Sequence, residues 1–265
     1  MSLIRLAHRA LATQPWAVLA AAVRGTGHEK NGQPCQDAVA WRLTRDGTLL
    51  AAVADGAGSA RLSELGAETA VCTVLDHLEA APELATFGQD APAAQARLQA
   101  AFQAARDALG KVADRHQARP AELATTLLVC VATRQQLWAA QVGDGAVVHA
   151  AGDGSWRALT RPAAGEYLNE TVFLTSAAAL EQLQVVSWAG AAPALALFSD
   201  GLQRLALKMP EAVPHAPFFQ PLFAWFGRAG DTPAAREQLV AWLRSPRVTE
   251  RTEDDLTLLL ARRRD

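Results

Sequence analysis

At 265 residues, half of them apolar, the chain can bury a sizeable core, and no Pro/Gly/Ser-rich linker divides it. A formal net charge of −2 with scattered basic residues, the dense cluster Arg262–Arg264 being expected as a solvated C-terminal tail, removes the electrostatic argument for nucleic acid or an anionic membrane as partner. Cys35, Cys72 and Cys130 lack metal or redox spacing, Cys72 and Cys130 are expected as small buried hydrophobes, and no apolar stretch reaches the ~20 residues that span a bilayer, so a cytoplasmic protein is expected.

One domain is expected over 1–265, with its core at about 16–262 and residues 1–15 as an N-terminal extension. Arg5, His8 and Arg9 before Trp16–Val23 imitate a short signal peptide, but Pro15 and the direct continuation into Arg24-Gly25 fit a first strand better. Strands are predicted at 16–24, 37–43 and 49–54, the last two joined by an Asp46-Gly47 turn. From Ser59, a plausible N-cap, the period becomes helical through Leu62, Leu65, Val71, Val74, Leu75 and Leu78. A second, Ala-rich helix is predicted over 92–117, with Pro82 and Pro92 bracketing the link. Strands return at 125–132, 137–142, 146–150 and 155–159, the last pair across Asp153-Gly154, then at 171–175, 183–188, 194–199 and 256–262. Helical segments at 201–207, 218–227 and 233–244 precede the last strand, with Trp225 and Trp242 expected as core anchors. Strand runs mixed with helix pairs predict an α+β fold of two packed sheets flanked by helices, not a strictly alternating dinucleotide-binding sheet.

Three Asp-Gly pairs end apolar runs: Asp55-Gly56, Asp144-Gly145 and Asp200-Gly201. Asp254-Asp255 precedes a fourth run, Leu256–Leu260. A carboxylate at the tip of a buried strand is costly unless something cationic meets it. Hard divalent ions such as Mg²⁺ and Mn²⁺ prefer oxygen ligands, so the pattern points to a carboxylate-built metal site.

The residues carrying this pattern fall in ordered blocks. They are Gly27-His28, Asn31-Gly32-Gln33-Pro34-Cys35-Gln36-Asp37, Val53-Ala54-Asp55-Gly56-Ala57-Gly58-Ser59 and Gly66-Ala67. Ala124-Thr125-Thr126-Leu127, Val142-Gly143-Asp144-Gly145, Phe198-Ser199-Asp200-Gly201 and Asp254-Asp255-Leu256-Thr257 follow. In this order, and spanning residues 25–260, they resemble the metal-dependent type 2C protein Ser/Thr phosphatases (the PPM family), particularly the bacterial branch. The resemblance implies a four-layer α-β-β-α sandwich, with two mainly antiparallel sheets between helix pairs. It implies a phosphoprotein phosphatase that hydrolyses phosphoserine and phosphothreonine by a metal-bridged water and opposes a Ser/Thr kinase. Two Mn²⁺ or Mg²⁺ ions are the implied cofactors, and the implied partner is a phosphorylated protein, a Ser/Thr kinase or its target.

By the same resemblance Asp55 bridges the two metals and the Gly56 carbonyl adds a ligand. Asp200 and Asp254 supply further carboxylates, and Asp37 orients the attacking water, which makes Asp37 and Asp55 the catalytic candidates. Asp144 resembles a residue that in many bacterial members helps hold a third, looser metal. Asp255 stands where the family usually has Asn and is expected to support the site.

The chain also departs from the family. Gln36 replaces the Glu of a Glu-Asp pair and can ligate only through its amide oxygen or a water. The His that follows Asp-Gly in eukaryotic members, an expected general acid, is Ala57 here. The phosphate-clamping Arg aligns with Gly32, leaving His28, Lys30 or Arg61 as substitutes. The polar feature of the segment between Asp153 and Pro193 is Asn169-Glu170-Thr171. Cys35, beside Gln36-Asp37, is either a small buried residue or an oxidisable thiol. The alternative function is a catalytically weak phosphatase-like binding or regulatory module, motivated by Gln36 and Ala57. A haloacid-dehalogenase-type site fails because Ala57 occupies the second Asp position, and no phosphate-binding loop or His-Glu-x-x-His motif exists.

Overall fold

The computed structural model describes residues 15–80, 84–162, 171–190 and 192–264. Strand β1 (Trp16–Val23) leads through helix α1 (Thr26–Asn31) into the hairpin of β2 (Ala38–Leu43) and β3 (Leu49–Ala54). Two long helices follow, α2 (Ser63–Glu79) and α3 (Ala91–Arg115). Next come β4 (Leu127–Ala132), β5 (Gln136–Val142), β6 (Ala146–Ala150), β7 (Trp156–Ala158), β8 (Gln184–Ala189) and β9 (Ala194–Phe198). A short helix α4 (Gln203–Ala206) and the small hairpin β10 (Leu207–Lys208) and β11 (Val213–Pro214) lead to α5 (Ala216–Ala229). Helices α6 (Pro233–Leu243) and α7 (Pro246–Thr249) then precede β12 (Leu256–Arg263).

The large sheets run β1-β12-β9-β6-β7 and β2-β3-β4-β5-β8, with antiparallel pairing throughout. The period-2 geometry of strands explains their unbroken apolar runs. In β3, Leu49, Ala51 and Val53 face the other sheet, while Leu50, Ala52 and Ala54 face helices α2 and α3. In β12, Leu259 and Ala261 point between the sheets, and Leu256, Leu258 and Leu260 point toward α5 and α6. Both faces of each central strand are covered, so hydrophobicity does not alternate along it. Three apolar layers thus bind four structural ones, as an α-β-β-α sandwich requires.

Several local expectations change. Ser59 does not cap a helix: α2 starts at Ser63, because Ala57 and Leu62 donate backbone bonds to the Ala124 and Glu122 carbonyls and hold the segment as a turn. The stretch at 171–175 is not a strand; Leu174 donates to the Thr125 carbonyl and the chain then turns at Phe173–Ser176. The helix expected at 201–207 is a 3₁₀ turn over Asp200–Leu202 followed by α4. Pro92 sits in the first turn of α3, where a missing N–H costs nothing, and Asp90 caps that helix through Ala93 N at 3.1 Å. Cys72 is exposed, whereas Cys130 is buried between the sheets. Trp225 and Trp242 are half-buried at the edge of the helical layer instead of anchoring it. Arg263 and Arg264 are not a solvated tail. Arg263 donates to the Ala192 and Thr133 carbonyls and lies over the Trp16 ring, and Arg264 pairs with Asp231. Arg5, His8, Arg9, Pro82, Asn169 and Glu170 fall outside the described residues. No described helix is long and apolar enough to cross a membrane.

Phe198 ends β9 fully buried against α5, where its ring meets Phe219 at 6.2 Å. Phe198→Ala is expected to cost about 3–5 kcal/mol through lost burial and an unfilled cavity, read as a lower urea midpoint. Val213→Ala, at a half-exposed position, is expected to leave the midpoint in place.

Candidate active site: an acidic cleft at one end of the sandwich

Antiparallel register gathers the acidic strand ends. Ala38 pairs with Ala54, so Asp37, just before β2, and Asp55, just after β3, lie at the same end. Phe198 pairs with both Ala146 and Leu258, which brings Asp200, Asp144 and the start of β12 to that end as well. Residues spread over more than two hundred positions therefore converge by pairing geometry alone.

Backbone contacts then fix the turns. Thr125 Oγ1 and Thr126 N both donate to the Asp55 carbonyl, at 2.9 and 2.8 Å, while Asp55 N donates to Thr126 Oγ1 at 3.0 Å. The two threonines thus lock the residue that carries the central carboxylate. Gly56 is required by crowding: a Cβ there would lie 2.6 Å from the Gln36 carbonyl oxygen and 2.8 Å from that of Ser63. Gly201 is similar, with the Asp255 carbonyl oxygen 2.1 Å from a built Cβ. Gln141, buried at the end of β5, donates its side-chain amide to the carbonyls on either side of Asp144, Gly143 at 2.9 Å and Gly145 at 2.8 Å. Gln203 donates to the Asp144 carbonyl at 3.0 Å, and Thr171 Oγ1 donates to Asp144 Oδ2 at 2.7 Å.

Within this frame Asp55, Asp144 and Asp200 each offer a carboxylate oxygen within 4.8 Å of the others. Asp37 is buried beside them and accepts from Ser199 Oγ at 2.8 Å. Asp254 stands exposed at the rim, outside that tight trio, yet its charge acts on both Asp55 and Asp200. Asp255 does not open into the cleft. Its buried carboxylate accepts from Gly25 N at 2.7 Å and Gln36 N at 2.6 Å, clamping the segments before α1 and before β2 to the start of β12. The basic candidates are distributed differently. Lys30 Nζ lies 2.6 Å from Glu253 and Arg61 Nε 2.8 Å from Glu122, both at the surface, whereas His28 Nδ1 lies 3.0 Å from Asp255 Oδ2. That last approach is a close contact rather than an aligned hydrogen bond.

The electrostatics follow from burial and like charge. Desolvation, then the Asp255 charge, pushes the Asp37 carboxyl up to about 8, partly offset by the hydrogen bond from Ser199. Burial, followed by Asp37 and Asp200, holds Asp55 well above the usual carboxylate range. Asp200 is raised to about 6 by burial and then by Asp144 and Asp254. Asp254 is raised too, first by partial burial. Cys35 is a poor nucleophile, since burial and the carboxylates of Asp37 and Asp255 push its thiol up, which disfavours the oxidisable-thiol reading.

Gln36 Oε1, Asp37 Oδ1 and Asp200 Oδ1 are buried oxygens without a hydrogen-bond donor. Unsatisfied acceptors of this kind, next to three converging carboxylates, fit a hard, oxygen-seeking divalent cation. Sequence reasoning missed Ser199, Gln141, Gln203 and the clamping role of Asp255. Ser199 was the accessible one, as the polar residue that ends an otherwise apolar run directly before Asp200.

The chain is similar to known proteins. A family model described as "Protein phosphatase 2C" matches residues 24–244. Serine/threonine-protein phosphatase 3 of Escherichia coli (strain K12) is 36% identical over 253 residues, covering 93% of this chain and 98% of that protein. In three dimensions the chain is similar to a serine/threonine phosphatase of S. agalactiae, with a TM-score of 0.64, 16% identity, and 93% and 99% of the two chains covered. It is also similar to PppA, described as a key regulatory component of T6SS in Pseudomonas aeruginosa, with a TM-score of 0.63, 18% identity, and 94% and 98% covered.

A raised carboxyl pKa means the folded chain holds protons that the unfolded chain releases. The stability gained is full below the ordinary carboxylate range and is lost as pH rises through about 6 for Asp200 and about 8 for Asp37. Asp200→Asn is therefore expected to raise the melting temperature of chelator-treated protein at pH 8 but not at pH 5. The same variant should gain less from added Mn²⁺ than the unaltered chain. Equal melting temperatures at pH 8 would contradict the electrostatic account.

Proposed function

This chain belongs to the protein phosphatase 2C family, and from that premise we propose that it removes phosphate from phosphoserine and phosphothreonine in proteins, opposing a Ser/Thr kinase. It is a metal-dependent protein Ser/Thr phosphatase by family, and one domain carries the whole reaction in this reading. The observation that supports it best is the convergence of Asp55, Asp144 and Asp200 beside orphaned acceptor oxygens.

In this reading Asp55, Asp200, Asp254 and the Gly56 carbonyl hold two Mn²⁺ or Mg²⁺ ions, with Gln36 assisting and Asp144 serving a third. When bound, such ions make water a nucleophile at neutral pH and offset the charge of the phosphoryl group. Asp37, fixed by Ser199 Oγ, is the acceptor placed to orient the attacking water. Asp255 joins the segments before α1 and β2 to the start of β12, so the two sheets present one rigid wall. His28, Lys30 and Arg61 are the proposed phosphate contacts, and His28 leads, because Lys30 and Arg61 must first leave Glu253 and Glu122. The free cysteines and the phosphoprotein substrate suit a cytoplasmic setting.

A weakly catalytic binding module is the second reading, favoured by Gln36 and by the apolar Ala57 turn. Turnover separates the two. With Mn²⁺ the protein is expected to hydrolyse p-nitrophenyl phosphate and a phosphothreonine peptide. Asp55→Asn and Asp200→Asn are each expected to lower kcat/KM more than about 100-fold, beyond the loss typical of an outer-sphere group. Full activity in excess chelator would reject the metal-dependent mechanism, while phosphopeptide binding without release of phosphate would establish the module. Lys30→Ala and Arg61→Ala, each removing an exposed ion pair, are expected to change KM by less than about fivefold.

A further inference from the structure

Expelling a seryl or threonyl alkoxide demands a proton, because an alkoxide is a far poorer leaving group than a phenolate. The turn after Asp55-Gly56 cannot give one. Ala57 is a buried methyl group packed with Ala60, Ala124 and Phe173. Lys30 and Arg61 are turned toward surface carboxylates.

One other titratable group borders that turn. His28, on α1, is half-buried, with a side chain 14% exposed, and its Nδ1 sits 3.0 Å from Asp255 Oδ2. Asp255 is itself immobile, held by Gly25 N and Gln36 N. The opposite ring nitrogen points at the turn: a Cβ built on Gly58 would lie 3.6 Å from His28 Nε2. Gly58 is exposed and stands three residues beyond Asp55, and the same built Cβ would lie 3.9 Å from Gln36 Oε1, so Nε2 and that orphaned acceptor flank one side of the turn. A buried carboxylate 3.0 Å behind one nitrogen can hold the ring by charge, and the exposed turn before the other leaves that nitrogen open to a substrate.

We propose that His28, oriented by Asp255, donates its Nε2 proton to the departing seryl or threonyl oxygen, replacing a proton donor that Ala57 cannot be; this rests on the phosphatase reading. As the bond from phosphorus to the attacking water oxygen forms, the bond to the seryl oxygen breaks and its electron pair stays on that oxygen. The oxygen takes the Nε2 proton and leaves as the alcohol. Donation leaves the ring as neutral imidazole, and the proton released by the attacking water returns it to its Nε2-protonated, cationic form. In this role Asp255 is a positioning residue and His28 a catalytic one. Gly58 keeps the approach to Nε2 clear.

The test compares leaving groups. In His28→Gln, a lost phosphate contact should raise KM on both substrates alike, whereas kcat on a phosphothreonine peptide is expected to fall about 100-fold or more and kcat on p-nitrophenyl phosphate, which departs as a stabilised anion, less than about threefold. Calorimetric Mn²⁺ binding should be unchanged. Equal losses on both substrates, or no loss on the peptide, would overturn the assignment, because a structural or cation-holding role does not discriminate between leaving groups. If the variant fails to fold, the unaltered protein decides through a series of aryl and alkyl phosphates. A shallow dependence of kcat on leaving-group pKa supports protonation, and a steep one overturns it. A chain that hydrolyses neither substrate with Mn²⁺ refutes the phosphatase reading itself, which is a separate outcome.

Discussion

Like charges repel most where water is scarce, and this fold brings Asp37, Asp55, Asp144 and Asp200 together at one end of its sheets. Among the described residues no arginine or lysine pairs with these carboxylates. Instead the backbone is locked around them: Thr125 and Thr126 hold Asp55, Gln141 and Gln203 hold Asp144, and Ser199 holds Asp37. A set of acceptors that cannot spread apart is destabilising alone and receptive to a dication. The metal dependence of the family and the mutual repulsion of these carboxylates are two aspects of one electrostatic fact.

That rigidity depends on the sandwich beneath. Each sheet is apolar on both faces, so its strands cannot slip by one residue without exchanging the layer they face. Register is therefore strongly specified, and register determines which strand ends meet. Gly56 and Gly201 extend the same logic to the loops, where neighbouring carbonyls leave no room for a side chain. Burying the core and aiming the carboxylates are consequences of a single pairing scheme.

Asp255 illustrates how a small change of residue type alters a role. One position after the rim carboxylate of Asp254, it turns inward, and two backbone N–H groups and an imidazole converge on it. An acidic residue there ties three distant segments together with charge-assisted bonds. Its neighbour Asp254, one residue earlier, stays exposed at the rim, with its Oδ1 accepting from Asp255 N at 2.8 Å.

The sequence by itself determined the layer architecture, most strands and the identity of the acidic cluster. Apolar runs, helical periodicity from Leu62 onward and carboxylates at run ends are local signals, written within a few residues of one another. It misjudged Ser59, the stretch at 171–175 and the exposure of Cys72, since each is decided by distant backbone partners or by which helix face meets the sheet. Only the tertiary structure decided that Asp144 joins Asp55 and Asp200 more tightly than Asp254 does, that Asp255 is a clamp, and that His28 meets buried Asp255 while Lys30 and Arg61 pair with surface carboxylates. Those outcomes depend on contacts across more than two hundred residues, and no local pattern encodes the direction in which a side chain turns once the strands have paired.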